Sequence, residues 1–299
     1  MGVRYKEMEY TIRNDYIIMT VSSRGGEPLC IRSCDGTDYL YTGNTGYWRG
    51  RAPHLFPFIG RLFEERYLYK GVSYPLSIHG FLKDTEMELE EHLDDRLVLS
   101  LTANEKTLEI YPFIFTLKII YRLSENTVHV TFEVKNEDDK KMFFAIGGHP
   151  GFNVPLEEGL NFEDYYLEFS KEASPKRSEP TKTNLLNGVF HDFPLKEQKI
   201  VELKHNLFDD DAIILKETAR AVTLKSDKGS RAVKVSFPDF KYIGFWHSVK
   251  SDAPFVCIEP WTALQGYEGI IEEIDKNSDM IILNPNEVYE NEWSITIIK

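Results

Sequence analysis

The sequence predicts an all-β protein, a large β-sandwich with long loops and few short helices. Three observations carry this. Val128, Val130, Phe132 and Val134 alternate with His129, Thr131, Glu133 and Lys135, the pattern of a half-buried strand. Runs of similar character recur at 16–21, 96–101, 115–121, 220–225, 232–237 and 293–298. Turn clusters separate them, among them Asn136-Glu137-Asp138-Asp139, Ser226-Asp227-Lys228-Gly229 and Asn284-Pro285-Asn286. The strands are spaced as hairpins rather than as helix-bridged parallel units. No 12-residue stretch shows a 3.6-residue period; short helical turns are expected only near 209–211 or 262–269. The stretch 171–195 is the most polar and irregular, and reads as a long excursion within one domain spanning 1–299.

Composition narrows the class of function. The chain has 299 residues, 42% of them hydrophobic and 13% aromatic, enough for a full core. Its net charge of −13 opposes binding to nucleic acid or to anionic membrane, although an acidic balance is first of all a solubility feature. No window approaches the roughly 20 apolar residues needed to span a bilayer. The run Met1–Lys6 has no apolar signal region and Lys6 breaks the myristoylation pattern. A soluble, cytoplasmic protein is expected, its oligomeric state left open. Three cysteines suit a reducing compartment, and Cys30 and Cys34 have no second pair to complete a zinc site. Eight histidines form no His-x-His or His-Glu-x-x-His, and Asp209-Asp210-Asp211 lacks the alternation of an EF-hand loop, so no metal site is expected.

Chemistry concentrates in three short segments: Ile78-His79-Gly80-Phe81, Gly147-Gly148-His149-Pro150-Gly151-Phe152 and Cys257-Ile258-Glu259-Pro260-Trp261. Glycine lets backbone pass close to a ligand or adopt positive φ, and a residue before proline is pushed to extended geometry. His149 is therefore expected on a constrained turn. Two histidines and one carboxylate on such segments form a plausible acid–base set. Taken singly, each has a plainer reading: His149 as a turn histidine bonded to a carbonyl, His79 as a satisfied loop histidine, Glu259 as a salt-bridged strand residue.

Five segments in order resemble the aldose 1-epimerase (galactose mutarotase-like) family. They are Gly25-Gly26-Glu27-Pro28-Leu29 with Asp38-Tyr39-Leu40; Tyr47–Pro53 leading to Leu55-Phe56-Pro57-Phe58-Ile59-Gly60-Arg61-Leu62; Tyr74–Phe81; Gly148-His149-Pro150; and Cys257–Trp261. The Arg-Ala-Pro…Phe-Pro…Gly-Arg-Leu form and the Glu-Pro-Trp ending resemble the bacterial branch found in sugar-utilisation operons, whose substrates are poorly defined. The resemblance implies the galactose mutarotase-like supersandwich and interconversion of the α and β anomers of a reducing hexose. It also implies Glu259 as base, His149 as acid, and His79 and Arg61 as sugar-binding groups. Asp211 lines up loosely with a sugar-binding aspartate.

The chemistry is self-contained. A base takes the anomeric hydroxyl proton, an acid protonates the ring oxygen, the ring opens, C1 rotates and the ring recloses; no cofactor is required. Histidine, with an ordinary pKa of about 6.5, suits the acid, and an ionised glutamate suits the base. Trp246 and Trp261 are candidates to stack on the sugar's C–H face, core being the commoner fate of such tryptophans. Arg51 and Lys83 lie near the motif loops and would matter if the sugar were a hexose 6-phosphate, although each reads more simply as a surface charge. The other histidines carry no selecting signal; His247, following Trp246, is the best of them. A non-catalytic sugar-binding or regulatory protein on the same fold remains a third reading. A glycoside hydrolase ranks last, since only one carboxylate has motif support.

Overall fold

The computed structural model describes residues 7–43 and 46–299; the run Met1–Lys6, read above for targeting signals, lies outside it. The fold is all-β, as expected. One antiparallel sheet runs Ile200–Glu202, Tyr165–Phe169, Ala221–Ser226, Ala232–Ser236, Val288–Ile298, Thr127–Asn136, Phe115–Ser124, Arg96–Thr102 and Glu88–His92. A second runs Leu186–Asp192, Lys176–Pro180, Ile213–Lys216, Tyr242–Trp246, Phe255–Trp261, Gly147–Gly148 and His54–Leu55, with Gly151–Asn153 also paired to Phe255–Trp261.

The alternation in 127–136 explains why the sheets stack. Val128, Val130, Phe132 and Val134 are fully buried while their neighbours are half-exposed, so one face of this long strand is core. The buried face of the first sheet meets the second through Trp293 and His54. A Cβ on Gly148 would fall 2.7 Å from the Trp293 ring, so only glycine lets these layers approach this closely. His54, from the second sheet, is wholly buried edge-on to Phe132 and hydrogen-bonded to the Tyr121 hydroxyl, which donates to Gly26 O at 2.6 Å.

Helix is scarce. A single short α-helix among the described residues, Glu105–Ile110, is capped by Asn104, whose side chain accepts from the Lys106 and Thr107 amides. The sequence pattern passed over it because six residues carry too few turns to show a period. The expected helical turn near 209–211 falls slightly earlier, as the 3₁₀ turn His205–Phe208, and none forms at 262–269. The stretch 171–195, read as an irregular excursion, is a hairpin: Lys176–Pro180 and Leu186–Asp192 pair with a register shift between Ser178 and Pro180, and extend the second sheet at its edge. No helix among the described residues is long and apolar enough to cross a membrane.

Candidate active site

The site lies on the second sheet, where register determines which side chains meet. Gly147 pairs with Trp261 and Gly151 with Cys257. That register puts His149 directly opposite Glu259, and cross-strand partners are the closest side-chain neighbours a sheet offers. His149 Nε2 stands 3.2 Å from Glu259 Oε2. His149 is 8% exposed and Glu259 1%. His149 was expected on a tight turn. It lies instead between the short strands Gly147–Gly148 and Gly151–Asn153, without a positive φ, its amide donating to Pro53 O at 3.0 Å. Close packing is what its glycines serve, and Gly148 has no positive φ.

The turn conformation occurs at His79. Its φ is +64°, followed by Gly80 at +74°, and a Cβ on Gly80 would collide with Phe56 O at 2.1 Å. The Gly60 amide donates to His79 Nδ1 at 3.1 Å, which fixes the neutral tautomer with its proton on Nε2. The His79 and His149 rings meet edge to face at 5.3 Å. Gly244 faces Glu259 across the neighbouring strand pair; a Cβ there would lie 3.3 Å from both the Glu259 Cβ and the Trp261 ring.

These groups border one cavity of about 340 Å³. It brings together every residue singled out from the sequence: Arg61, His79, His149, Asp211, Trp246, Glu259 and Trp261. Arg61 is exposed at the rim and makes no side-chain hydrogen bond or ion pair among the described residues. Asp211 is half-buried, at φ +72°, its amide donating to Phe208 O at 3.1 Å. Trp246 stands edge-on to the His149 ring at 5.7 Å. Trp261 is only 2% exposed, so it forms floor more than wall.

Three other lining side chains bear on the chemistry. Trp48 stacks on His149 at 4.9 Å between centroids and 29° between planes. Gln265 borders the cavity and its amide donates to Asn184 O at 3.0 Å. Lys83 lines the cavity, but its ammonium is taken up by Asp84. Trp48 had a signal, since it lies in the quoted 47–53 segment, and Lys83 was weighed as a phosphate contact; Gln265 had no signal. Arg51, the other cation weighed, is tied to Leu29 O at 2.8 Å and is not part of the cavity.

Burial dominates the electrostatics. It pulls the His149 imidazole down to about 4 and the His79 imidazole well below the usual range. Burial, with the Asp211 carboxylate adding its charge, pushes Glu259 well above the ordinary carboxylate range. An ionised glutamate facing a protonated histidine was the expectation. With both groups this deeply enclosed, a protonated carboxyl donating to a neutral imidazole is favoured in the ligand-free site. Moving one proton across the 3.2 Å contact interconverts the two forms.

A metal ligand set was not expected from local spacing, yet sheet register supplies a candidate. His149, Cys257 and Glu259 each offer one ligand atom within 4.8 Å of the others. Burial pushes the Cys257 thiol well above its ordinary range, which opposes the thiolate that such a site needs.

Fold and cavity together define an all-β sandwich, built on two large antiparallel sheets with smaller ones beside them, that carries a buried histidine–carboxylate pair. The chain belongs to the aldose 1-epimerase family, whose sequence profile matches residues 8–296. It is 35% identical over 302 residues to the chromosomal protein LacX of Lactococcus lactis subsp. lactis, covering 97% of this chain and all of that one. Among solved structures, a galactose mutarotase related enzyme from Lactobacillus acidophilus is 32% identical with a TM-score of 0.92, over 97% of each chain. A galactose mutarotase-like protein from Lactobacillus casei is 28% identical with a TM-score of 0.92, over 97% of this chain and all of that one.

Proposed function

We propose that this protein is an isomerase, an aldose 1-epimerase that interconverts the anomers of a reducing sugar. One observation carries the reading most strongly: His149 and Glu259 lie within hydrogen-bond reach in a cavity sized for one sugar ring. With the proton on the imidazole, the Glu259 carboxylate takes the proton of the anomeric hydroxyl and His149 delivers its own to the ring oxygen. The ring opens, C1 turns, and the reverse transfers close it on the other face. The pair starts and ends with the same protons, so the cycle needs no co-reactant.

The remaining residues position the ring. Arg61 presents an unengaged planar fork to hydroxyls, His79 offers its Nε2 proton, and the Asp211 carboxylate accepts. Trp48 and Trp246 supply faces for C–H contacts. Holding one ring against all of these is an orientation effect as much as a proton-transfer one.

A hexose 6-phosphate would need several charge-assisted donors. Arg61 and Lys83 are the cations bordering this cavity, and Lys83 is already paired, which supports a neutral sugar. The test is nuclear magnetic resonance exchange between α and β C1–H signals, for a panel of free and phosphorylated hexoses. Exchange enhanced by wild-type protein and lost in Glu259→Gln supports the reading. Sugar binding without enhanced exchange would replace it with a non-catalytic sugar-binding role.

A further inference from the structure

Asp211 belongs to two cavities. Beyond it opens a second cleft of about 810 Å³, more than twice the volume of the inner pocket. Its walls are the hairpin of Lys176–Pro180 and Leu186–Asp192, the 209–211 turn, and the loop tip at Val249 and Lys250. A non-glycine residue held at positive φ is uncommon and costs energy. Asp211 is so held at the junction, and its carboxylate has no hydrogen-bond partner among the described residues.

Arg177 gives the cleft its chemistry. The residue is half-buried and lines the cleft, and its Nε is cut off from solvent with no hydrogen-bond partner. Its guanidinium forms no ion pair among the described residues; the Asp210 carboxylate favours its charge from beyond ion-pair range, but burial outweighs that and lowers the group below the ordinary arginine range, so the enclosed guanidinium is only partly compensated. Oxygen acceptors on a ligand would satisfy it.

Charge decides the class of that ligand. The cleft carries three cations, Arg177, Lys182 and Lys250, against five carboxylates, Glu179, Asp192 and Asp209–Asp211, a net of −2 with His191 neutral. A phosphate dianion would be repelled, whereas a polyhydroxyl group uses donors and acceptors alike. Phe193, half-buried on the same wall, offers a ring face for sugar C–H groups.

We propose that the outer cleft holds a second sugar ring, and that the substrate is a neutral reducing disaccharide or longer oligosaccharide. Its reducing-end ring sits on His149 and Glu259, its next ring lies against Arg177, and Asp211 accepts hydroxyls at the junction. This rests on the acid–base reading of the inner pocket, which it deepens by naming the substrate class.

The test measures anomer exchange on glucose, glucose 6-phosphate, maltose, cellobiose and isomaltose, covering both 1→4 and 1→6 linkages. At least one disaccharide is expected to exceed glucose in kcat/KM by about tenfold or more. Arg177→Gln should cut that disaccharide-to-glucose ratio by about tenfold, and Lys182→Ala, in the exposed hairpin loop, by less. Glucose or glucose 6-phosphate outrunning every disaccharide overturns the proposal, as does a ratio unchanged in Arg177→Gln with its melting temperature intact. If no sugar shows enhanced exchange, the epimerase reading fails by itself, and calorimetric titration of the same disaccharides decides the cleft. Binding weakened about tenfold by Arg177→Gln upholds the second-ring site, and no binding by wild type overturns it.

Discussion

The inner pocket and the outer cleft share Asp211 yet are built on opposite principles. The pocket is made by strand register at the centre of a sheet, with its acid–base pair almost wholly buried and glycines cleared for close packing. The cleft is made by an edge hairpin and loop tips, and its charged groups are mostly exposed. Proton transfer needs fixed distances and desolvated groups, which rigid interior strands supply. Choosing among sugars needs variable, solvent-facing polar groups, which edge hairpins and loops supply.

The sharpest way to break this division is to disarm the pair. Glu259→Gln and His149→Asn should each lower kcat by about 10²–10⁴-fold while the fold persists. Exchange rates together with circular dichroism melts check this, and near wild-type turnover in either variant would remove it from its role.

Geometry comes next. Gly244→Ala places a methyl 3.3 Å from the Glu259 Cβ and the Trp261 ring, so the carboxylate must shift by a few tenths of an ångström. A fall in kcat on the order of tenfold is expected, given that a 1 Å error can cost about 10²-fold. An unaffected kcat would mean that the pocket tolerates looser placement than its packing implies.

The pH profile is a gentler probe. The uncharged pair gains a proton at His149 as pH falls, and burial has lowered that group to about 4, so the acid limb of kcat/KM should lie below the ordinary histidine range. Glu259 is shifted upward, so the alkaline limb, where the pair loses its shared proton, should lie above the ordinary carboxylate range. Trp48→Ala opens His149 to solvent and should move the acid limb upward, by about one pH unit. A profile flat from acidic to alkaline pH, with chemistry limiting, would contradict the paired mechanism. The smallest expected effect is none: exhaustive chelation should leave rate and melting temperature unchanged, and a loss restored by one divalent ion would assign the His149, Cys257 and Glu259 cluster to a metal.

The two regions also differed in how far the sequence revealed them. Strand alternation at 127–136 and hairpin spacing gave the all-β class, because burial on one face writes a period of two into the chain. The motif segments contain Trp48, Arg61, His79, His149, Glu259 and Trp261, all of which border the pocket although 198 positions separate Arg61 from Glu259. That His149 faces Glu259 follows from register, which depends on long-range pairing and leaves no local mark. The hairpin at 171–195 was read only as irregular, because an edge strand with both faces wet has no apolar alternation to show. Arg177 was missed for a different reason: its significance lies in an unpartnered Nε, which only three dimensions reveal.

The most direct test of the central claim is a crystal structure of Glu259→Gln with a bound reducing disaccharide. The anomeric oxygen should lie within about 2.6–3.2 Å of residue 259 and the ring oxygen should face His149, with the second ring between Asp211 and Arg177. A sugar bound away from His149 and residue 259, or turned so that the two address the same oxygen, would contradict it.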